Sequence, residues 1–580
     1  MKNLKYLFIS SFILLFSFLF ISCSKSNETK EIESREKFDT FTNELFVTEV
    51  QKDTITLNYS LNNWESYGIE IGDVKIGHFS PSYIESLLAT YENYLAILKD
   101  ISYKDLRPDQ QLTYDVLKYY FKLELTQGDF VLYHDVLGPT TGIQAQLPVL
   151  FAEFNIKTQE DLDIYLALVK SIEPYFEEVC EFQKLKAASG LFMSKQVADS
   201  IISQCENFIK DPEENFLIIT INNKISNMDF LSEDEKSKYI KENNDSIKNT
   251  LIPAYELLIA TLKDLNSTGK NDKGLCYYEK GKSFYEYLIA YNTNSSKSVP
   301  ELIQMVDLSI EENILEMGDI LERNPKVYEE LMDISFPLQE PTEIITFLES
   351  AVLKDFPEIP SVNCTISYVP ESLQEHLSPA MYLVPAIDDY KNNVIYINPE
   401  YNMTDVFPTL AHEGYPGHLY QSVYFRDSNP SPIRNLLDFG GYIEGWATYV
   451  EYYSYYLAGL EKDVADFIVA NMTTNMGIYC RLDFGIHYEG WTFSDSLDYL
   501  KSLEINDKEL VTLLYETILE EPALYPQYGI GYLEIMELKK KAESKLSDRF
   551  SLKDFHTFML DVGPAPFTVI EERLNEEMLE

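Results

Sequence analysis

Apolar residues recur at three- and four-residue intervals along most of this 580-residue chain. Because an α-helix has about 3.6 residues per turn, this spacing places the apolar side chains on one face. Residues 162–179 carry a clear example, with Pro174 as the expected position of a kink. Comparable repeats occupy residues 82–128, 194–210, 230–266, 279–322, 435–480 and 528–546. We therefore expect a mainly α-helical fold.

One region has a different period. Between about residues 364 and 399 apolar and polar residues alternate in three short runs, which Pro, Asp and Asn residues separate. Alternation with a period of two is typical of β-strands, so we predict a small antiparallel β-sheet next to the segment that carries the chemistry. An exposed edge of this sheet could pair with an extended peptide, and a purely structural sheet is an equally good interpretation.

The charge balance excludes one class of partner. The chain has 47 Lys and Arg against 94 Asp and Glu, a formal net charge of −47. A surface this acidic repels phosphate backbones, so we expect no nucleic-acid partner. Solubility is the main interpretation of the charge, and a preference for cationic peptides is the second. The oligomeric state is left open.

The N-terminus has the pattern of a bacterial lipoprotein signal. Lys2 and Lys5 precede a nearly continuous apolar run over residues 6–21, and Cys23 follows it. The run is too short for a stable transmembrane helix and reads as a secretory signal. We expect residues 1–22 to be removed and Cys23 to be lipidated; an ordinary cleaved signal is the alternative. The predicted protein is extracytoplasmic and membrane-anchored, at the cell surface or in the periplasm.

Two further boundaries complete the predicted organisation. The polar residues 23–44 are interpreted as a tether, and residues 45–580 as a single helical domain. No later apolar run reaches the ~18 residues that a transmembrane helix needs. Only the lipid on Cys23 is therefore expected to contact the membrane.

The segment 409–421 contains the residues of a possible zinc site. His412 is followed directly by Glu413, and His418 lies six positions after His412. A zinc hydrolase needs two neutral imidazoles on one metal and a carboxylate beside the reacting water. On a continuous helix two histidines four positions apart meet this need, but six steps of about 100° leave them about 120° apart.

The residues between the histidines suggest how the spacing is accommodated. Pro416 has no N–H, and its ring would clash with the carbonyl group of residue 412. Gly414 and Gly417 relax the backbone on either side. We predict that two residues are looped out as a bulge, which restores the effective four-residue relation.

A third ligand is expected from the next helix. Glu444 lies near the start of an apolar segment, and Glu451, seven positions later, shares its helical face. We predict Glu444 as a metal ligand and Glu451 as the residue that orients one histidine through its second nitrogen. A buried carboxylate with backbone partners is the alternative for Glu444.

Two later segments offer hydrogen-bond donors for a developing oxyanion. Asp483 and His487 are four positions apart, so Asp483 is predicted to hold the tautomer of His487 while its other N–H donates. Tyr528, near a predicted helix start, is the second candidate donor. A packing role is equally compatible with Tyr528, since the chain has 42 tyrosines.

Together these segments resemble the bacterial "domain of unknown function 885" family, over about residue 45 to the C-terminus. The resemblance rests on these motifs: His412-Glu413-x-x-Pro416-Gly417-His418 with Gln421, Glu444-Gly445-Trp446-Ala447-x-Tyr449 with Glu451, Arg481-x-x-Asp483-x-x-x-His487 with Gly490-Trp491, and Tyr528-x-Ile530-Gly531. The family looks related to helical gluzincin peptidases. This resemblance implies two helical halves around a channel with zinc at its floor. By the same analogy, Asn398 and Arg481 are expected to bind substrate.

The expected activity is hydrolysis of short peptides with one Zn²⁺ per chain, of a carboxypeptidase or oligopeptidase type. His412, His418 and Glu444 would bind the metal, and Glu413 would act as general base. His487 and Tyr528 would hold the oxyanion. A non-catalytic surface lipoprotein, acting as a binding or scaffold module, is the alternative. A carboxylate-bridged di-metal protein is disfavoured, because none of the seven histidines has a Glu three residues before it.

Overall fold

The computed structural model of the protein describes residues 28–332, 334, 336, 338–369, 374, 378–401 and 406–579. The predicted signal peptide and Cys23 lie outside the described residues, so both stay predictions. Of the helices that the structure describes, none combines the length and the apolar character that crossing a membrane requires.

Helices dominate the architecture. The protein is 71% helical, which confirms the predicted mainly α class. The helices are α1 (28–50), α2 (Thr54–Ser60), α3 (Pro81–Lys99), α4 (Pro108–Thr126), α5 (Ile143–Ala152), α6 (Gln159–Lys170), α7 (Ile172–Ala188), α8 (Lys195–Ile209), α9 (Phe216–Ser226), α10 (Glu233–Ser246), α11 (Ile252–Leu265), α12 (Gly281–Thr293), α13 (Val299–Arg323), α14 (Val327–Met332), α15 (Pro341–Ala351), α16 (Val406–Glu413), α17 (His418–Asp427), α18 (Gly440–Leu457), α19 (Lys462–Phe484), α20 (Phe493–Ser502), α21 (Lys508–Glu520), α22 (Leu524–Leu546), α23 (Leu552–Val562) and α24 (Phe567–Arg573).

The apolar stripe over residues 162–179 spans two helices, α6 and α7. The Thr158 side chain accepts a hydrogen bond from the N–H of Asp161, and the Asp161 carboxylate accepts one from the N–H of Thr158. This capping box fixes the start of α6. α6 ends at Lys170, which is four residues before Pro174. The proline ring would clash with the carbonyl group of residue 170, so the helix breaks where a kink is predicted.

The sheet is mixed rather than antiparallel. Its strands are β1 (Asn363–Tyr368), β2 (Ala380–Leu383) and β3 (Asn392–Ile397), in the order β1-β3-β2. β2 pairs antiparallel with β3, but β1 pairs parallel with β3. The predicted sheet exists, and its antiparallel description is wrong for β1. Alternation of apolar residues reports which side chains share a face and carries no information about strand direction.

The predicted tether, residues 23–44, is wrong from residue 28 onward. Residues 28–50 form α1, one face of which packs into the protein core. Its charged residues lie on the other faces, so the polar composition describes the solvated side of an amphipathic helix. The core-facing residues are Phe38, Phe41, Leu45, Phe46 and Val50, all less than 10% exposed.

The buried apolar residues form several separate cores. The largest core combines α1, the sheet and α15–α18 with α23 and α24. A second core lies within residues 55–262. A third core joins α12 and α13 to α19, α21 and α22. The two predicted halves with a channel between them stay a prediction. The residues singled out by the sequence lie in and around the first and third cores.

Candidate functional site

The break between α16 and α17 brings the two histidines together. α16 ends at Glu413 and α17 begins at His418, so the predicted bulge within one helix is wrong: the chain leaves one helix and starts another. The Tyr415–Pro416 peptide bond is cis. A Cβ atom on Gly417 would lie 1.7 Å from the carbonyl oxygen of His412, so this close approach of the backbone admits only glycine.

His412 and His418 are direct neighbours as a result. Their ring centroids are 4.8 Å apart and the ring planes are nearly perpendicular, at 86°. Their side chains are 14% and 15% exposed, so both imidazoles are mostly buried and keep a small area in contact with solvent. Two nitrogen donors at this separation can bind the same ion.

Glu444 completes a three-residue cluster. Its Oε2 atom is 3.6 Å from Nε2 of His412 and 3.5 Å from Nε2 of His418. In a tetrahedral zinc site with bond lengths of about 2.0–2.1 Å, ligand atoms lie about 3.4 Å apart. Both distances from Glu444 are therefore close to the separation that a shared zinc ion requires, with Glu444 supplied by the N-terminal part of α18.

Glu413 is a second carboxylate within reach of both histidines. One of its oxygens lies within 4.8 Å of a nitrogen of each imidazole. However, Oε2 of Glu413 accepts a hydrogen bond of 2.7 Å from the backbone N–H of Tyr382 in β2. Because one oxygen of Glu413 is already hydrogen-bonded to the sheet, Glu413 is better placed beside a bound metal ion than as one of its ligands. Glu444 is therefore the stronger candidate for the third ligand.

Glu451 binds the other nitrogen of His412. Its Oε2 atom is 3.0 Å from Nδ1 of His412, so Nδ1 is paired with Glu451 and Nε2 is the nitrogen that faces Glu444. Burial lowers the pKa of His412, but the carboxylates of Glu444 and Glu451 outweigh it and hold this pKa well above its usual value. Burial also opposes ionisation of Glu444, yet the two histidines lower the pKa of Glu444. The cluster therefore favours positive charge at its centre.

Glycines bring Tyr528 towards the same cluster. A Cβ atom on Gly445 would lie 2.4 Å from the carbonyl carbon of Gly531, and one on Gly531 would lie 2.1 Å from the Gly441 oxygen. α18 and α22 therefore cross with their backbones in contact. Burial raises the pKa of the Tyr528 phenol well above 10, and the charges of Glu444 and Glu413 raise it further. The Tyr528 phenol therefore stays protonated, and it lies within electrostatic range of both carboxylates.

His487 does not face this cluster, which contradicts its predicted role as an oxyanion donor. The ring is 1% exposed, and both nitrogens have backbone partners. Nδ1 accepts from the N–H of Leu275 at 3.2 Å, and Nε2 donates to the carbonyl oxygen of Ile518 at 2.8 Å. Burial lowers the pKa of His487 to about 4, so the ring is neutral at pH 7.

Asp483 does not orient His487 either. Its carboxylate accepts hydrogen bonds from the hydroxyl of Tyr285 and the backbone N–H of Ala523. The prediction assumed a regular helix with four-residue contacts. Residues Gly485–Glu489 instead form a π-helical turn, which changes the register between Asp483 and His487.

The two predicted substrate-binding residues are committed to internal contacts. Arg481 pairs with Asp307 at 3.1 Å and Glu489 at 2.8 Å, and it stacks on Trp491. Asn398 is fully buried: its amide donates to the Gln374 carbonyl oxygen at 2.8 Å, and its side-chain oxygen accepts from the N–H of Glu400 at 3.2 Å. Both therefore brace the fold, and their assignment to substrate is wrong.

Sequence reasoning missed two participants. The backbone N–H of Tyr382 holds Glu413, and the hydroxyl of Tyr285 binds Asp483. Tyr285 is separated from Asp483 by 198 positions, and it sits in an ordinary apolar stripe of α12. No local pattern distinguishes either residue from the other tyrosines of the chain.

Comparison with known proteins identifies a family and a fold. The family model described as "Bacterial protein of unknown function (DUF885)" matches residues 64–574. A crystal structure of "the putative lipoprotein from Colwellia psychrerythraea" has a TM-score of 0.84 and 18% identity, covering 94% of this chain and 99% of that one. A "putative lipoprotein of unknown function from Shewanella oneidensis" has a TM-score of 0.66 and 18% identity, covering 93% and 99%. At this identity the likeness concerns the fold alone.

No curated protein matches the chain significantly. The family model, by contrast, covers most of the sequence, including every residue of the histidine and glutamate cluster. The chain belongs to the DUF885 family of bacterial proteins.

Proposed function

We propose that the protein is a zinc-dependent hydrolase that cleaves peptide bonds in short peptides. One observation carries this proposal: Nε2 of His412 and Nε2 of His418 both lie within 3.6 Å of the same oxygen of Glu444. Two imidazoles and one carboxylate are the protein ligands of a large class of catalytic zinc sites, which leave the fourth position open.

The charges around the cluster fit a bound cation. Glu413, Glu444 and Glu451 surround two imidazoles. Within the described part of the chain, no lysine or arginine lies within 4.0 Å of Glu444 or Glu451. Three carboxylates around two imidazoles leave an excess of negative charge in a largely buried place, and a divalent ion would reduce that excess.

The roles of the surrounding residues follow from their contacts. Zinc held by His412, His418 and Glu444 would supply Lewis-acid activation of a water molecule and of the scissile carbonyl group. Glu413 keeps one oxygen free beside the cluster, so it can take a proton from the water and pass it to the departing amine. The Tyr528 phenol stays protonated and can donate a hydrogen bond to the carbonyl oxygen.

The sheet offers a binding surface for an extended substrate. β2 is an edge strand, and its Tyr382 N–H already donates to Glu413. A peptide laid along this edge could pair with the strand backbone, which would place a peptide bond near the cluster without requiring a particular side chain. This arrangement favours peptides as the substrate class.

The contribution of Tyr528 can be measured by removing its hydroxyl group. We expect Tyr528→Phe to lower kcat by about 10²–10³-fold, because one preformed oxyanion donor is lost while the ring that fills the space remains. KM should change little, and zinc content should not change. Steady-state kinetics on a peptide substrate test this expectation. An unchanged kcat would remove Tyr528 from the mechanism.

We also propose that the mature chain is a membrane-anchored lipoprotein. The support is the basic and apolar N-terminal pattern that ends at Cys23, together with the descriptions of the two similar structures. Cys23→Ala should move the protein from the membrane fraction to the soluble fraction in a bacterial host. Unchanged fractionation would contradict lipidation at this residue.

The proposed activity is tested with a random peptide library. The soluble body, loaded with zinc, should convert library peptides to shorter products detectable by mass spectrometry, and Glu413→Gln should not. Bound zinc without any cleavage would favour a binding module that retains the fold. Absence of zinc in the purified protein at every pH would contradict the proposed site.

A further inference from the structure

The connection between α21 and α22 packs against one face of α19 and against the π turn that follows α19. Three residues on this face, Cys480, Asp483 and His487, each touch a different part of the chain between residues 518 and 529. All three are 0–1% exposed. The proposed mechanism uses none of them, although they include two residues of a motif that the sequence marks as functional.

His487 holds the beginning of this connection. Its Nε2–H donates to the Ile518 carbonyl oxygen at 2.8 Å. Its Nδ1 accepts from the Leu275 N–H at 3.2 Å, so the proton must reside on Nε2. Because both nitrogens are used, the ring has one fixed orientation, and the carbonyl of Ile518 has one fixed position.

Asp483 holds the turn itself. Both carboxylate oxygens accept from the N–H of Ala523, at 3.2 and 3.1 Å, and Tyr285 donates its hydroxyl to the same carboxylate. Ala523 has φ 67°, in the left-handed region that is unfavourable for a residue with a Cβ atom. The contacts of the Ala523 N–H with both oxygens of the Asp483 carboxyl group offset this cost and hold the turn in place.

Cys480 contacts the first turns of α22. Its thiol donates to the Tyr525 carbonyl oxygen at 3.6 Å, and a Cβ atom on Gly529 would lie 2.5 Å from the sulfur. Gly529 follows Tyr528 directly. The backbone of α22 next to Tyr528 therefore lies against α19, with no room for a side chain between the two helices.

We infer that Asp483, His487 and Tyr285 are positioning residues, which fix where α22 begins and hence where the Tyr528 hydroxyl lies relative to Glu444. This inference rests on the proposed function for its effect on turnover. Tyr528 is five residues past Ala523, so a change at the turn moves the phenol with the first turn of the helix. A displacement of about 1 Å at a reacting centre can cost about 10²-fold in rate.

The test combines Asp483→Asn with Tyr528→Phe. In Asn the oxygen at the Oδ1 position can still accept from Tyr285 and Ala523, but an NH2 group replaces Oδ2, so one of the two contacts with the Ala523 N–H is lost with little change in volume. We expect Asp483→Asn to lower kcat about 10–100-fold with KM and zinc content unchanged. If Asp483 acts through Tyr528, the double variant should be no slower than Tyr528→Phe alone. Fully additive losses, or an unchanged kcat in the folded single variant, would overturn the inference.

Two additional variants separate positioning from general stability. Ala523→Gly in the Asp483→Asn background should recover activity, because glycine adopts the left-handed conformation without cost. Asp161→Asn removes a buried carboxylate that caps α6, far along the chain, and should leave kcat unchanged at a comparable loss of thermal stability. A failure of Ala523→Gly to recover kcat, at restored stability, would contradict the positioning role.

A structural readout keeps this inference independent of the proposed activity. In a crystal structure of Asp483→Asn, the Tyr528 hydroxyl should be displaced by about 1 Å or more relative to Glu444. If wild-type protein hydrolyses no peptide but this displacement occurs, the proposed function fails and the positioning role stands. An unmoved Tyr528 would overturn the positioning role whatever the activity.

Discussion

Glu413→Gln should lower kcat at least about 10³-fold, within the 10²–10⁴-fold range of general acid–base catalysis. The amide has nearly the same shape and can still accept the Tyr382 N–H through its carbonyl oxygen, so the side chain should stay in place. It cannot take a proton from water at neutral pH. The loss should therefore appear in the chemical step, without loss of metal or of folding.

The measurement is single-turnover and steady-state cleavage of a peptide selected from the library. Zinc content and thermal unfolding are measured on the same samples. Glu349→Gln is a matched control, because Glu349 is an exposed acid that borders the cavity behind Tyr415 and contacts none of the proposed machinery. Full activity of Glu413→Gln would refute its assignment as the base.

Removal of Glu444 should abolish stable zinc binding. Glu444→Ala leaves only the two imidazoles as ligands, so we expect zinc to fall from about one per chain to less than about 0.1 after dialysis, with parallel loss of cleavage. Glu451→Gln should be intermediate, with affinity reduced about 10–100-fold, because it weakens the contact that orients His412. Elemental analysis by mass spectrometry and circular dichroism report metal and folding separately.

This experiment also discriminates between the two candidate carboxylates. Glu413 and Glu444 both lie close to the histidines, and the contact of Glu413 with Tyr382 is the reason to choose Glu444. Full zinc content in Glu444→Ala, together with metal loss in Glu413→Gln, would exchange the two roles. Zinc retention in both variants would place the metal elsewhere.

The sequence predicts the candidate site best where the site depends on which residue types are present. The chain has only seven histidines. A segment with two of them and a glutamate beside the first, followed by a helix with two more glutamates, is therefore conspicuous. The structure brings His412, His418 and Glu444 into mutual contact and places Glu451 against His412. The sequence predicts the helix break at residues 414–417 only in part, because proline and glycine signal an interruption without specifying whether the helix resumes.

The predictions that failed depended on geometry beyond the local pattern. His487 and Asp483 were placed on a regular helix, and a single π turn at Gly485–Glu489 separates their environments. Asn398 was placed by analogy, yet its amide satisfies backbone groups of two loops. Apart from Glu400, which is two positions from Asn398, the partners in these contacts are distant in sequence, and hydrogen bonds to backbone groups leave no signature in residue composition.

The amphipathic helix α1 illustrates a further reason. Residues 28–44 are rich in charge, so composition alone indicates a solvated tether. The buried stripe becomes visible only from the helical spacing of Phe38, Phe41 and Leu45. Averaged polarity hides such a stripe whenever the other faces of the helix are strongly charged.

Anomalous diffraction at the zinc edge tests the central claim most directly. Crystals of the protein, purified with zinc and without chelators, should give one strong anomalous peak per chain. The peak should lie about 2.0–2.2 Å from Nε2 of His412, Nε2 of His418 and one oxygen of Glu444. An absent peak, or a peak bound to other residues, would contradict the account of this protein as a zinc-dependent hydrolase.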